Sequence, residues 1–291
     1  MEILYIGSNG PLSTFPLQTL INSEVNVCAI ASDDFSYNNT FSGISIINNT
    51  SDSVTSLAQI SNIPLIRLTE NYANNTDKIK AFCPDLIIVS CYARKLPDSI
   101  LAIPRLGCFN IHPSMLPAYR GPTPIFWQLR AAEKNMGVTL HRMTNKFDTG
   151  GIVKQKSVTI VDGVTQLEAN IIFAEIACEL LTECISNFAN SCFKETPQKE
   201  TFSSYQSFPV ASDYIVYIQW SAQRMYNFIC ANNKPGIYFI CSVDGKIFKL
   251  FQALSFEATG SLQNPYLIKG KQILLNCSPG IIRCQLSTNP L

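Results

Sequence analysis

The first part of the chain alternates short, strongly apolar runs with polar turns. Such runs occupy residues 1–7, 25–32, 84–91 and 107–113. Because they are short and rich in Ile, Leu, Val or Phe, these four runs predict buried strands. A short helix is predicted over residues 16–23, which gives the chain a strand–helix–strand opening.

The middle of the chain continues this mixed pattern. Residues 137–143 and 151–160 are predicted to be two strands joined by the loop TNKFDTGG. Apolar side chains then recur at three- and four-residue spacing over about 162–190, which predicts the longest helix. The Asn-, Ser- and Thr-rich stretch 35–62 is predicted to be mostly loop, with a short helix over 53–61.

The hydrophobic period changes after a polar linker at 191–210. A helix is predicted over 216–232, and short alternating runs follow it, one of them around the Asp-Gly turn at Asp244. Several short strands with regular turns predict a small β-barrel or sandwich. We therefore predict an α/β chain, with a Rossmann-like N-terminal domain over 1–190, the linker, and a smaller OB-like β-barrel domain over 211–291.

Composition limits the partners of this protein. The formal net charge is +1, which argues against wholesale binding to nucleic acid or to an anionic membrane. No apolar run reaches the ~18 residues that a spanning helix needs. The opening MEILYIGSNG predicts a first strand and turn, not a signal peptide. We therefore expect no membrane association.

The chain contains eleven scattered cysteines and no C-x-x-C pair. Neither a disulfide framework nor a metal site is therefore expected. Cys28, Cys91, Cys178 and Cys230 lie in apolar segments and are expected to be small buried hydrophobes. A cytoplasmic, reducing location is the expectation that follows.

The candidate chemistry lies around the stretch GCFNIHPSMLPAYRG. Asn110 and His112 are two positions apart on a predicted strand, so both side chains leave the same face. They lie near the end of that strand, where open α/β sheets bind ligands. Asp148 lies in the Asp-Thr-Gly-Gly loop, and its carboxylate is suited to accept a ring N–H of His112 and fix the tautomer.

These three residue types suit the attack of an amine on an acyl carbon. An asparagine amide donates to the oxygen on which negative charge builds, and a His–Asp pair takes the proton that the attacking nitrogen loses. No Gly-x-Ser-x-Gly, Gly-x-Gly-x-x-Gly or P-loop motif occurs. Serine hydrolysis and phosphate-loop chemistry therefore lack their signatures.

Each of these residues also has a structural interpretation. The residues alone do not decide between the catalytic and the structural interpretation. A histidine that closes a buried strand is often a satisfied polar side chain. Asn110 is equally suited to cap a turn, and Asp148 to form one. His141, the second of the two histidines, lies mid-strand between Leu140 and Arg142, and it is expected to lie outside the core chemistry.

The motifs GCFNIHPSMLPAYRG, GVTLHRM and FDTGG together resemble, in order and spacing, the folate-dependent formyltransferase family. The segment 85–101 is similar to the one that this family places along its folate pocket. Residues 216–253 are similar to the helix and barrel of the methionyl-tRNA and amino-sugar formyltransferases. The resemblance therefore covers nearly the whole chain, and it is weakest over 33–80.

The resemblance implies transfer of a formyl group from 10-formyltetrahydrofolate to a primary amine, without a metal. It assigns catalysis to Asn110, His112 and Asp148. It also assigns contact with the pterin ring of the folate to the loop 144–148. The residues that it assigns to folate binding are Tyr92, Ala93, Arg94, Ser114, Met115, Leu116, Gly121 and Phe147. Met115 and Phe147 each replace a leucine of the family pattern, and methionine should pack similarly.

The resemblance identifies the amine that accepts the formyl group less closely than it identifies the formyl donor. The tRNA-modifying members resemble one another in a basic loop after the second strand, which suits a phosphate backbone, whereas residues 1–66 here contain no Lys or Arg. AYRGPTPIFWQL and GVTLHRM are most similar to the amino-sugar members, which favours a nucleotide-linked sugar over tRNA. The residues assigned to this substrate are Arg120 or Arg142 for a diphosphate and Trp127 for a flat ring. A structural interpretation stays open for each of them: Trp127 suits packing of its helix on the sheet, and the arginines suit ordinary surface or structural positions.

Several other functions stay open at this point. They are methionyl-tRNA formylation, formylation of another small-molecule amine, hydrolysis of formyltetrahydrofolate with water in place of the amine, and a non-catalytic binding module. The intact trio argues against a binding module, since binding alone does not need Asn110, His112 and Asp148 together. A homodimer is also left open, because the sequence does not report the oligomeric state.

Overall fold

The computed structural model describes residues 1–33, 53–70 and 72–287. The part of the predicted loop at 35–52 lies outside the described residues. The chain divides into two compact units, each assembled from three stretches. The first unit takes its described residues from Met1–Gly121, Gly137–Ser157 and Asn170–Tyr205, and the second takes them from Pro122–Met136, Val158–Ala169 and Gln206–Leu291.

The larger sheet has seven strands among the described residues. These are β1 Glu2–Ile6, β2 Asn26–Ser32, β3 Leu65–Arg67, β4 Leu86–Ser90, β5 Cys108–His112, β6 Asn135–Arg142 and β7 Ile152–Thr159. They are ordered β3-β2-β1-β4-β5-β6-β7. The neighbours from β3 to β5 are parallel, and β6 runs antiparallel to β5. The order reverses between β1 and β4, which marks the carboxyl ends of these strands as a ligand-binding edge.

The helices of this part of the chain begin and end at recognisable signals. They are α1 Pro11–Ile21, α2 Val54–Ile60, α3 Tyr72–Lys80, α4 Asp98–Leu101, α5 Pro124–Ala131 and α6 Gln166–Ala189. Pro11 opens α1, where its fixed φ suits the first turn. Ser53 caps α2, because its hydroxyl oxygen accepts the N–H of Ser56 over 3.1 Å. These local signals fix where the two helices begin.

The second unit contains a six-stranded, mainly antiparallel sheet. Its strands are β8 Ile215–Val216, β9 Phe239–Val243, β10 Lys246–Glu257, β11 Tyr266–Lys269, β12 Gln272–Asn276 and β13 Ile281–Leu286, in the order β11-β12-β13-β10-β9-β8. The helix α7, Ala222–Asn232, buries Met225, Phe228 and Ile229 against this sheet. Phe126 of α5 belongs to the same apolar cluster, so a helix from the middle of the chain completes the core of this unit.

The predicted fold class is confirmed, with a Rossmann-like parallel sheet and a second C-terminal sheet. The C-terminal helix begins at Ala222 and not at residue 216. Ile215 and Val216 pair with β9 as a strand, and the side chain of Ser221 caps the helix. No helix among the described residues combines the length and apolar character that a membrane crossing requires.

All eleven cysteines are free thiols. The expected burial of four of them was wrong: Cys91 is exposed, and Cys28, Cys178 and Cys230 are half-buried. Cys91 directly follows β4, and its backbone has a left-handed φ of 56° where the chain leaves the sheet. An apolar neighbourhood in sequence therefore did not imply burial at the end of the strand.

Ile88, at the centre of β4, should be essential to stability, because its side chain is fully buried. We expect Ile88→Ala to lower the free energy of unfolding by about 2–5 kcal/mol, since the lost methyl groups leave a cavity. Ile60→Ala is the matched control, because Ile60 is 64% exposed and should change stability by less than about 0.5 kcal/mol. Urea unfolding monitored by circular dichroism measures both, and equal losses would contradict this account of the core.

Candidate active site

Asn110 and His141 lie opposite each other on neighbouring strands. The antiparallel register pairs Asn110 with His141 and His112 with Thr139. Directly paired residues present their side chains on the same face of a sheet. The side-chain nitrogen Nδ2 of Asn110 lies 3.3 Å from Nε2 of His141. The register therefore places both histidines of the chain beside one asparagine.

Asp148 reaches these groups from the loop after β6. Its backbone has a left-handed φ of 53°, a conformation that costs a residue other than glycine on the order of 1 kcal/mol or more. The backbone N–H of Gly121 donates to its Oδ2 over 2.8 Å. Nδ1 of His112 and Nε2 of His141 lie 3.8 Å and 3.6 Å from its two oxygens. The structure thus brings the predicted trio together and adds His141.

Backbone carbonyls determine which ring nitrogen carries the proton. Nε2 of His112 is 2.9 Å from the carbonyl oxygen of Tyr119, and Nδ1 of His141 is 2.8 Å from that of Arg142. A carbonyl only accepts, so these two nitrogens are the donors. In the neutral rings, the nitrogens nearer Asp148 therefore carry lone pairs. In neutral His112, therefore, no ring N–H points at Asp148, which differs from the N–H to carboxylate contact expected from the sequence.

Burial lowers the pKa of His141 from 6.5 to about 4. The ring is 1% exposed, and the imidazolium form would lose its hydration. The Asp148 carboxylate acts in the opposite direction and is the smaller effect. His141 is therefore neutral at pH 7, and its Nε2 accepts from the amide of Asn110, which orients that amide.

A cleft that opens to solvent lies against these groups. Asn110, His141 and Asp148 line it, and His112 is not among its lining residues. The remaining lining residues are Tyr92, Arg94, Lys95, Leu96, Met143, Thr144, Lys146 and Phe147. Three of the predicted folate residues, Tyr92, Arg94 and Phe147, are therefore in the cleft.

The other five predicted folate residues, Ala93, Ser114, Met115, Leu116 and Gly121, are not among its lining residues. Three of them support the loop after β5. The hydroxyl of Ser114 donates to the carbonyl of Ala118 over 2.8 Å, and the N–H of Leu116 donates to the hydroxyl of Thr139 over 3.2 Å. Gly121, at a φ of 112°, provides the N–H that binds Asp148. Met115 is half-buried in the same loop.

The predicted substrate residues are engaged with other protein groups. The guanidinium of Arg120 is buried and forms hydrogen bonds with Glu200 and Gln198. Arg142 forms an ion pair with Glu195 over 2.6 Å and lies over the ring of Phe109. In the second unit, the indole N–H of Trp127 donates to the carbonyl of Ser207 over 2.9 Å. All three side chains therefore have partners within the chain.

His141, expected outside the core chemistry, lies beside Asn110 and Asp148. Met143 lines the cleft without having been predicted, and Lys95 and Leu96 line it within the segment 85–101, which was predicted only as a whole. The signal for His141 is its place in the second strand motif, GVTLHRM. Had that strand been paired antiparallel with β5, the register would have placed His141 opposite Asn110. Local patterns predict a strand, but they do not predict its partner or its register.

The comparisons with known proteins show the family of this chain. A family model described as formyl transferase matches residues 35–185, which is just over half of the chain. The chain belongs to the formyl transferase family. This confirms the resemblance drawn from GCFNIHPSMLPAYRG, GVTLHRM and FDTGG.

One relative of this chain is the methionyl-tRNA formyltransferase of Carboxydothermus hydrogenoformans, which is 36% identical to it over 184 residues. The match covers 63% of this chain and 59% of that relative. The chain therefore spans less than two thirds of the length of this curated relative.

Two solved structures resemble this family member over its whole length. The N-formyltransferase from Helicobacter canadensis, in complex with folinic acid and dTDP-3-aminofucose, matches with a TM-score of 0.72 at 18% identity, over 98% of this chain and 99% of that one. WlaRD, a sugar 3N-formyl transferase, matches with a TM-score of 0.69 at 19% identity, over 100% and 99% of the two chains. At these identities the likeness shows the shared fold.

The lowered pKa of His141 has a direct spectroscopic consequence. Because the pKa is about 4, the ring should stay neutral at pH 5.5, where an ordinary histidine is mostly protonated. Long-range proton–nitrogen correlation spectra should show a neutral ring protonated at Nδ1. The chain has two histidines, so His112→Ala, which leaves one signal set, provides the assignment. A His141 ring that protonates with a midpoint near 6.5 would contradict this environment.

Proposed function

We propose that this protein transfers a formyl group from 10-formyltetrahydrofolate to a primary amine. The observation that carries the proposal is the convergence of Asn110, His112 and Asp148 beside one cleft. Membership of the formyl transferase family supports it. Acyl transfer to an amine needs a donor for the acyl oxygen and an acceptor for the proton of the amine, and both kinds of group are present at this cleft.

The cleft suits a folate as the formyl donor. Four of its residues offer apolar or aromatic surface to a flat heteroaromatic ring: Tyr92, Leu96, Met143 and Phe147. Lys95 and Lys146 suit the carboxylates of the folate glutamate. A bound 10-formyltetrahydrofolate supplies the activated formyl carbon. The two solved structures that resemble this chain were obtained with 5-N-formyl-THF or folinic acid.

The side chains beside the cleft have separate tasks in this proposal. The amide of Asn110 donates one N–H to Nε2 of His141 over 3.3 Å. The other N–H, which lies 3.5 Å from Oδ1 of Asp148, turns to the formyl oxygen as negative charge builds there. The carboxylate of Asp148 accepts the proton that the attacking nitrogen loses. Nδ1 of His112, 3.8 Å from that carboxylate, shares the proton. The proton then goes to N10 of the folate as the bond between N10 and the formyl carbon breaks, which releases tetrahydrofolate. Loss of one oxyanion donor typically reduces the rate roughly a hundredfold to a thousandfold.

An amino-sugar nucleotide is the proposed acceptor. The motifs AYRGPTPIFWQL and GVTLHRM are most similar to amino-sugar formyltransferases. Residues 1–66 hold no Lys or Arg with which to bind a polynucleotide backbone. The chain matches WlaRD, a sugar 3N-formyl transferase, and an N-formyltransferase whose structure contains dTDP-3-aminofucose, each over almost its full length. These observations together favour a small, nucleotide-linked amine.

Methionyl-tRNA is the second candidate acceptor. The observation that favours it is the 36% identity to a methionyl-tRNA formyltransferase. From residue 205 onward the chain carries seven Lys and Arg residues and three Asp and Glu residues, a modest positive excess. Binding of tRNA through this region would weaken steeply with salt, because counterions are released from the phosphates.

We expect His112→Ala and Asp148→Asn each to lower turnover by at least ~100-fold, because each removes a partner for the transferred proton. Folate binding should be mostly kept, since His112 does not line the cleft and asparagine has nearly the shape of aspartate. Tetrahydrofolate release measures turnover, and quenching of protein fluorescence measures binding. Asp77→Asn, the same change at an exposed position of α3, is the control. Near-wild-type turnover in His112→Ala would remove this residue from the chemistry.

The acceptor is tested by supplying 10-formyltetrahydrofolate with a panel of amino-sugar nucleotides or with charged initiator tRNA. We expect tetrahydrofolate release with at least one amino-sugar nucleotide, and little change in its rate between about 50 and 200 mM salt. Release with tRNA alone, falling steeply over that salt range, would identify the second candidate. Release without any amine would identify a hydrolase, and no release under any condition would contradict the proposed function.

A further inference from the structure

The polar segment 195–205, predicted as part of a linker, is bonded to the two loops that carry the site. At one end, the backbones of Thr196 and of Ile152, the first residue of β7, exchange two hydrogen bonds of 2.8 Å. At the other end, the N–H of Arg120 donates to the carbonyl of Ser204 over 2.9 Å, and the N–H of Tyr119 donates to the hydroxyl of Ser204 over 2.8 Å. The segment therefore fastens the loop after β5 and the start of β7 within the first unit, and Gln198 between these ends binds the loop after β6.

Gln198 occupies the point where the two loops meet. Its Nε2 donates to the carbonyl of Asp148 over 2.8 Å and to the carbonyl of Gly150 over 2.7 Å. Its Oε1 accepts from Nη2 of Arg120 over 2.8 Å and from Nε of the same side chain over 3.2 Å. Both donors and the acceptor of this amide are therefore used, and the amide has only one orientation that satisfies them.

Arg120 is held in place independently of Gln198. It is 6% exposed, and its Nη1 and Nη2 donate to the two carboxylate oxygens of Glu200 over 3.0 Å and 2.8 Å. This bidentate pair neutralises a buried cation and gives it a defined geometry. Gln198 thus connects the backbone of Asp148 to a fixed guanidinium.

The contacts form a closed ring around Asp148. Its carboxylate is bound by the N–H of Gly121, its carbonyl is bound by Gln198, and Gln198 is bound by Arg120, the residue before Gly121. The left-handed backbone of Asp148 needs such support, because strained conformations persist only where their surroundings hold them. Small displacements of a catalytic group lower rates strongly.

We propose that Gln198 is a positioning residue for Asp148, holding the left-handed Asp148–Gly150 turn against Arg120 so that the carboxylate stays between Gly121 and the two histidines. This inference rests on the proposed function for its effect on rate. It concerns the backbone of Asp148, whereas the proposed function concerns the side chain.

Two substitutions distinguish positioning from space filling. Gln198→Ala removes all four hydrogen bonds. Gln198→Glu keeps the shape of the side chain and its attraction to Arg120, but it replaces the donating NH₂ group with an oxygen that faces the carbonyls of Asp148 and Gly150. If the side chain only filled space, the glutamate variant would behave as wild type. If its donors position Asp148, both variants are impaired.

We expect each variant to lower kcat by at least ~10-fold, with KM for the amine and the folate little changed, because the displaced group acts mainly in the transition state. Thermal stability of Gln198→Glu should stay near wild type, since the ion pair with Arg120 replaces lost bonds. Gln263→Ala, the same change as Gln198→Ala at an exposed glutamine, is the control and should leave both kcat and KM unchanged. Wild-type kcat in Gln198→Glu would overturn the proposal.

Amide hydrogen exchange gives a readout that does not depend on the reaction. Peptides covering 144–152 should exchange faster in both variants than in the wild type, while peptides from the core strands stay protected. Unchanged exchange over 144–152 would overturn the positioning role, whatever the activity. If the wild-type protein transfers no formyl group to any amine, the proposed function fails, and the exchange comparison still decides the role of Gln198.

Discussion

The carboxylate of Asp148 is the constraint on which this site depends. It is held by the N–H of Gly121 at 2.8 Å, and it faces a ring nitrogen of each histidine at 3.6–3.8 Å. Both of these nitrogens are without a proton in the neutral rings, because the opposite nitrogens donate to backbone carbonyls. The carboxylate therefore occupies the one point that faces the asparagine amide and both imidazole rings.

This arrangement depends on groups that are distant along the chain. The antiparallel pairing of β5 and β6 places Asn110 beside His141, and the loop after β5 returns Gly121 to Asp148. The burial that lowers the pKa of His141 keeps this ring neutral. Its Nε2 therefore accepts a hydrogen bond from the amide of Asn110, and this bond fixes the orientation of the amide. The burial of His141, its tautomer and the orientation of the Asn110 amide thus all depend on the pairing of β5 with β6.

The sequence allowed the parallel core and part of the site to be predicted. The apolar runs of β1, β2, β4 and β5 are short and bounded by turns, so their positions followed from local pattern. The two-residue spacing of Asn110 and His112 placed them on one face. The pairing of β6 with β5 was not available from local pattern, because strand register is set by long-range contacts. For that reason His141 was assigned outside the core chemistry.

The stretch 191–210 shows a second limit of sequence reasoning. Its polar composition is typical of a linker, but Gln198 and Glu200 use their polar groups to bind other loops of the first unit. Arg120 was assigned to substrate from the resemblance to amino-sugar formyltransferases, and its guanidinium is buried against Glu200 and Gln198. Composition reports which side chains are polar. It does not report whether water, substrate or another part of the chain satisfies them.

The most direct test of the central claim is a crystal structure of this protein with bound folinic acid, a stable formylated folate. The account predicts that the pterin ring lies in the cleft with Tyr92 and Phe147, and that the reduced folate directs its formyl-bearing edge toward the amide of Asn110 and the carboxylate of Asp148. A folate bound elsewhere, with the cleft empty and these two side chains turned away from it, would contradict the account.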